Sequence, residues 1–132
     1  MPAFNEEKNL LTAVKTTCET LNQQTILYEI ILVDDGSRDA SLATAQALPA
    51  QAVDVQVVSL SRNFGKEAAL LAGLDHARLG AVLFMDADGQ HPPALIETLV
   101  GHWLDGGYDV VYTAKAHREN ESMVIRLGVK AF

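Results

Sequence analysis

The sequence predicts an α/β protein, with a mostly parallel sheet carrying helices on both faces. Three observations point there. Short runs rich in β-branched residues alternate with stretches of helical periodicity along the chain. Those runs are nearly continuous in apolar character, as strands covered on both faces must be. They lead into turns rich in Asp, Asn, Gly and Ser, and right-handed crossovers collect such turns on the edge formed by the carboxyl ends of the strands. With 132 residues, 48% of them hydrophobic, the chain is long enough for a real core, so 1–132 reads as a single domain.

The elements follow in order. Asn5 is a good N-cap, and Glu6 and Glu7 suit the positive end of a first helix running to about residue 21. Residues 28–33 are a strand; after Asp34-Asp35-Gly36-Ser37 a second helix runs through Leu48 and ends at Pro49. Residues 53–60 form the next strand, 66–77 a third helix and 81–85 a further strand. Gly73, inside the third helix, reads as a close approach of chain or ligand, or as neutral. Pro92-Pro93 introduces a fourth helix to about residue 104, Gly106-Gly107 breaks it, and a strand at 109–112 precedes a last helix from about Ser122. The chain opens on a loop and a helix start, with no strand to feed them, and stops inside the last predicted helix. The expectation is therefore a domain truncated at both ends, its first strand missing.

A formal charge of −7 argues against a general nucleic-acid binder, which needs a basic face. The basic residues are unevenly placed. Up to Ser59 there are only Lys8, Lys15 and Arg38, whereas Lys115, Arg118, Arg126 and Lys130 follow Asp109, so affinity for an anion is expected toward the C-terminal end. The single cysteine, Cys18, rules out an internal disulfide and falls on the apolar side of the first helix with Leu10, Leu11, Val14 and Leu21. No run approaches the ~18 apolar residues that span a bilayer, and no signal sequence is present, so the chain reads as soluble and cytoplasmic.

The motif richest in chemistry is Asp86-Ala87-Asp88-Gly89-Gln90, directly behind the apolar run 81–85. Hard oxygen ligands at alternate positions suit Mg2+ or Mn2+ and leave room for substrate phosphates. Asp88 serves equally well as a cap for the helix that follows. Its neighbours strengthen the first reading: Asp34-Asp35-Gly36-Ser37, Ser61-Arg62-Asn63-Phe64-Gly65-Lys66 and Asp86-Ala87-Asp88 each follow a predicted strand and should open on one sheet edge.

These motifs, with Pro2-Ala3-Phe4-Asn5-Glu6-Glu7, resemble the family-2 glycosyltransferases of GT-A fold, and within them the polyprenyl-phosphate branch that includes dolichyl-phosphate mannose synthase and bactoprenol glucosyltransferases. The resemblance covers nearly the whole chain. It implies that Pro2, Ala3, Asn5 and Glu6 line a nucleotide-sugar pocket, that Asp34 or Asp35 accepts a hydrogen bond from the base, and that Lys66 faces the diphosphate. It also implies that Asp86, Asp88 and Gln90 hold Mg2+ or Mn2+, with Asp86 and Asp88 catalytic and Asp86 in contact with the donor. The implied reaction is inverting transfer from a UDP- or GDP-linked sugar to a polyprenyl phosphate at the inner face of the membrane. Membrane association would come through parts absent here, and a homo-oligomer is possible. A phosphate acceptor with a second pKa of about 6 is already ionised at neutral pH and needs positioning, not a general base. The family places acceptor-phosphate cations where Lys115, Arg118 and Arg126 stand, Lys115 at a position usually held by arginine. Two alternatives stay open. One gives the sugar to a saccharide or protein hydroxyl, with a catalytic carboxylate beyond residue 132; the other is a nucleotide-binding fragment without turnover.

Overall fold

The computed structural model describes residues 1–48, 55–115 and 123–127. The chain forms two compact units, Met1–Pro92 and Pro93–Phe132. The first contains β1 (Pro2–Ala3), α1 (Leu10–Asn22), β2 (Ile30–Asp34), α2 (Ser41–Ala47), β3 (Val55–Ser59) and α3 (Lys66–His76). The second contains α4 (Pro93–Gly106) and the antiparallel pair β4 (Val111–Lys115) and β5 (Met123–Leu127). Among the described residues no helix is long and apolar enough to cross a membrane.

In the first unit the strands are parallel in the order β1-β2-β3, with Ala3 opposite Asp34 and Asp34 opposite Ser59. The central strand, Ile-Ile-Leu-Val-Asp, is bonded on both sides and nearly all apolar, as a parallel strand between two helical layers should be. Side chains along a strand alternate between faces, and helices cover both. Ile30 and Leu32 join Leu10 and Val14 of α1 and Ala45 of α2 in one core cluster. On the opposite face α3 comes so close that a methyl group at Gly73 would lie 3.3 Å from Val33 Cγ2. Gly73 is therefore a close approach of chain to chain. Leu10, Val14, Leu32 and Val33 are at most 1% exposed, and each contributes about 1.5–3 kcal/mol by leaving water. Cys18 packs against the same cluster, half-buried, as its helical position predicts.

Four expectations need correction. A strand does precede the first helix, but it is two residues long. The helix itself starts at Leu10, because Asn5 adopts a left-handed φ of 55° and caps nothing; its side chain is spent on a loop contact described below. Residues 81–85 are irregular, with Val82, Leu83 and Phe84 exposed. An apolar run becomes a strand only with a partner, and the sheet's edge strand β1 is two residues long, with Pro2 lacking an N–H. Finally, the helix expected from Ser122 is the strand β5 over 123–127, where β-branched Val124 and Ile125 pair with Ala114 and Thr113. The remainder of that expected helix, and Pro49 with the start of the second predicted strand, lie outside the described residues.

One ion-pair network ties the exit of α3 to the start of β2. The Glu29 carboxylate accepts from Arg78 N at 2.8 Å, Nε at 3.0 Å and Nη2 at 2.8 Å, and from Gln56 Nε2 at 2.7 Å. Arg78 lowers the Glu29 pKa below its ordinary 4.5, through the backbone bond first and then the guanidinium. A depressed carboxylate pKa adds stability above the unfolded value and loses it as pH falls through the folded value. Urea unfolding of Glu29→Gln should show a loss of about 1 kcal/mol at pH 7 and a shallower decline below pH 4.5 than the unaltered chain.

Candidate functional site

The edge beyond the carboxyl ends of β2 and β3 is assembled by main-chain hydrogen bonds to buried carboxylates. Asp34 and Asp35 are only 2% and 3% exposed. Asp35 takes the Phe64 N–H on Oδ1 at 2.8 Å and the Gly65 N–H on Oδ2 at 3.0 Å, so both its oxygens serve the loop after β3. Asp34 differs. Its Oδ2 receives the Ser37 N–H at 3.3 Å, while its buried Oδ1 has no hydrogen-bond partner among the described residues. An unmatched buried acceptor costs about 1–3 kcal/mol and marks a place where a donor belongs. The structure thus separates two aspartates that the sequence left equivalent.

Gly36 lets the two loops meet. Its φ is 67°, and a Cβ there would fall 2.3 Å from Arg62 C and 2.5 Å from Asn63 N. A third segment is stitched to the same turn by five hydrogen bonds between residues 5–7 and 37–41. Asn5 donates its N–H to Ser37 Oγ and accepts the Arg38 N–H; Glu6 N–H bonds the Ser41 hydroxyl at 2.7 Å. Ala3 accepts the Asp35 N–H at 2.9 Å. Pro2, Ala3, Asn5 and Glu6 therefore lie beside β2 and the turn that follows it.

Lys66 opens α3 after Gly65 and places its Nζ 2.7 Å from both carboxylate oxygens of Asp86. His91 Nε2 lies 3.9 Å from Asp86, too far for a hydrogen bond. The Met1 amine, donating to Ile31 O, has its pKa lowered to about 6 by burial, against the opposing attraction of Asp86. Ala87 is 2% exposed and belongs to the core cluster, which anchors the Asp86-Ala87-Asp88 turn from below. Asp88 Oδ1 accepts the Gln90 N–H at 2.9 Å, closing a turn with Gly89 at φ 73°. Among the described residues no three His, Cys, Asp or Glu side chains converge as a metal site. In the second unit, Lys115 pairs with Met123 and Arg126 with Tyr112, while Arg118 lies outside the described residues.

Sequence reasoning missed Ala87, Ser41 and the Gly36 contact. Ala87 was legible as the small apolar residue between two acids. Ser41, fully buried and bonded to Asp39 and Glu6, had only its spacing from Asp39 to mark it.

A parallel sheet with two helical layers, whose carboxyl edge gathers buried aspartates, a lysine and an Asp-x-Asp turn, is the architecture of a GT-A α/β domain. The chain belongs to glycosyl transferase family 2, whose model matches residues 1–129. It is 43% identical to a glycosyltransferase of Synechocystis sp., over the whole of this chain and 41% of that protein. It is 34% identical to a glycosyltransferase of Bacillus subtilis, over 92% of this chain and 38% of the relative. Identity to the undecaprenyl-phosphate 4-deoxy-4-formamido-L-arabinose transferase of Klebsiella pneumoniae is 40%, over 91% of this chain and 37% of that enzyme. The chain thus spans about two fifths of the length of the curated relatives it matches.

If the Gly36 contact aligns the edge, Gly36→Ala should cost about 2 kcal/mol or more in urea unfolding, because the methyl meets main chain that cannot rotate away. Amide exchange at Phe64 and Gly65 should accelerate with it, and unchanged protection there would show that the loops are independent.

Proposed function

We propose that this chain is the donor-binding part of a glycosyltransferase that moves a sugar from a UDP- or GDP-linked donor to a polyprenyl phosphate, with inversion, at the cytoplasmic face of a membrane. The observation that carries the reading is the buried Asp34 Oδ1, unpartnered among the described residues, on the edge that also holds the Lys66–Asp86 pair. The bases of UDP and GDP each present an N–H that can donate to this oxygen, and a carboxylate acceptor gives a charge-assisted bond. Asp35 keeps the loop in place and does not touch the donor.

Lys66 stands at the start of α3, where a cation and the helix's positive end both favour a diphosphate. Asp86, Asp88 and the Gln90 amide would hold Mg2+ or Mn2+; when bound, the ion supplies Lewis-acid stabilisation of charge on the departing nucleotide. The chemistry of the donor set suits such an ion: Asp86, Asp88 and Gln90 offer hard oxygens, and Mg2+ is usually held by one or two carboxylates plus substrate phosphates. The acceptor phosphate oxygen attacks the anomeric carbon opposite the leaving group; that C–O bond breaks, and the nucleoside diphosphate departs with the electron pair. No base is needed, since the acceptor is already ionised. Lys115, Arg118 and Arg126 are the residues assigned to position it. The names of relatives that act on undecaprenyl phosphate support this choice of acceptor.

Calorimetric titration with UDP and GDP in the presence of Mn2+ tests the donor half. Asp34→Asn should weaken nucleotide binding about tenfold, whereas Asp35→Asn should chiefly lower stability. Equal affinity in Asp34→Asn would remove Asp34 from the pocket. For the transfer half, labelled UDP- and GDP-sugars with a short polyprenyl phosphate should yield a lipid-linked product; nucleotide binding with no product from any donor would leave a binding module without turnover.

A further inference from the structure

We infer that Lys66 is a placeholder for the divalent cation: it occupies Asp86 until a donor diphosphate draws it away, so that cation and donor bind together and not separately. The inference rests on the cation assignment made above for Asp86. Its geometric basis is that Nζ lies 2.7 Å from both Oδ1 and Oδ2, on the bisector of the carboxylate where a cation would bind both oxygens. An ammonium at that point and a divalent ion excluded from it by size and charge are mutually exclusive occupants. Asp88 Oδ1 accepts the Gln90 N–H, so Asp88 and Gln90 alone make a poor site and the cation depends on Asp86 being free.

The strength of the pair suits a placeholder. Lys66 is 57% exposed at its side chain and Asp86 34%, and ion pairs so open to water shift an equilibrium by no more than about fivefold. The lock is strong enough to keep a weak cation site empty and weak enough for a diphosphate to open. A donor diphosphate carries more negative charge than Asp86, so it competes for the same ammonium from its seat at the start of α3. Once Lys66 turns to it, Asp86 is free, and the phosphate oxygens complete the shell. Linkage requires the effect to be reciprocal: donor raises cation affinity by the factor that cation raises donor affinity.

The test is Mn2+ binding to the whole chain, read by electron paramagnetic resonance of free Mn2+, with and without UDP or GDP. Without nucleotide, Lys66→Gln should bind Mn2+ about two- to tenfold more tightly than the unaltered chain, because both the competitor and a repelling charge are gone. Lys66→Arg, which keeps the charge and the pair, should show no such gain, and Asp86→Asn combined with Lys66→Gln should abolish it. If Lys66→Gln gains nothing while Asp86→Asn still removes nucleotide-dependent Mn2+ binding, the placeholder role is wrong and the cation site stands. If Asp86→Asn leaves Mn2+ binding unchanged with nucleotide present, the cation assignment itself fails and takes this inference with it.

Discussion

The carboxylate of Asp35, buried where β2 ends, holds the main chain of Phe64 and Gly65 with both its oxygens. Without that clamp the loop after β3 has no reason to return to β2, and Gly65 would not present α3 with Lys66 at its first position. The Gly36 turn closes the same junction from the other side, where glycine alone allows main chain to meet main chain. Hydrogen bonds to a buried carboxylate suit this task because leaving either N–H unmatched would be costly. The edge is therefore rigid where it is scaffold. Variation is left to the side chains that project from it.

Those side chains divide by exposure. Asp34 and Asp35 are sealed in, Asp86 is one-third exposed and Lys66 more than half. Donor recognition at the base would thus take place on groups already ordered by the core, with little conformational entropy left to lose. The diphosphate end, by contrast, would be served by Lys66 and Asp86, which water reaches. A site that reads the base rigidly and grips the phosphates adaptably separates recognition from the charge movement that transfer requires.

Much of this was legible in the sequence. The apolar run 28–33, followed by Asp34-Asp35-Gly36-Ser37, announced a buried strand and its turn, and β2 ends in the first of those aspartates. Convergence of the Asp34 and Ser61 segments followed from the rule for parallel sheets, whereas the Asp86 segment, with no strand before it, joins them through Lys66. What stayed illegible depended on partners that composition cannot reveal. The run at 81–85 reads as apolar as β2, yet it has only a two-residue edge strand to pair with and stays irregular. Residues 123–127 carry helix formers at both ends, and only pairing with β4 makes them a strand. Asn5 looks like a cap by residue type; its left-handed backbone and its bond to Arg38 N–H arise from a segment more than thirty residues away. The two aspartates could not be told apart because the distinction lies in which backbone amides reach them.

The packing of Gly73 over Val33, so close that a Cβ added at 73 would lie 3.3 Å from Val33 Cγ2, gives α3 a fulcrum. Lys66 lies seven residues away along the same helix, about 10 Å at 1.5 Å per residue. A helix pinned at one point on a sheet responds to local pressure by tilting, and a tilt moves its far end further than the point that is pressed. The volume of the residue at 73, or of Val33 beneath it, thus bears on where the Lys66 ammonium stands relative to Asp86 without altering either side chain. On the proposed reading, phosphate affinity would in this way be adjusted from inside the core, at a distance, by a methyl group.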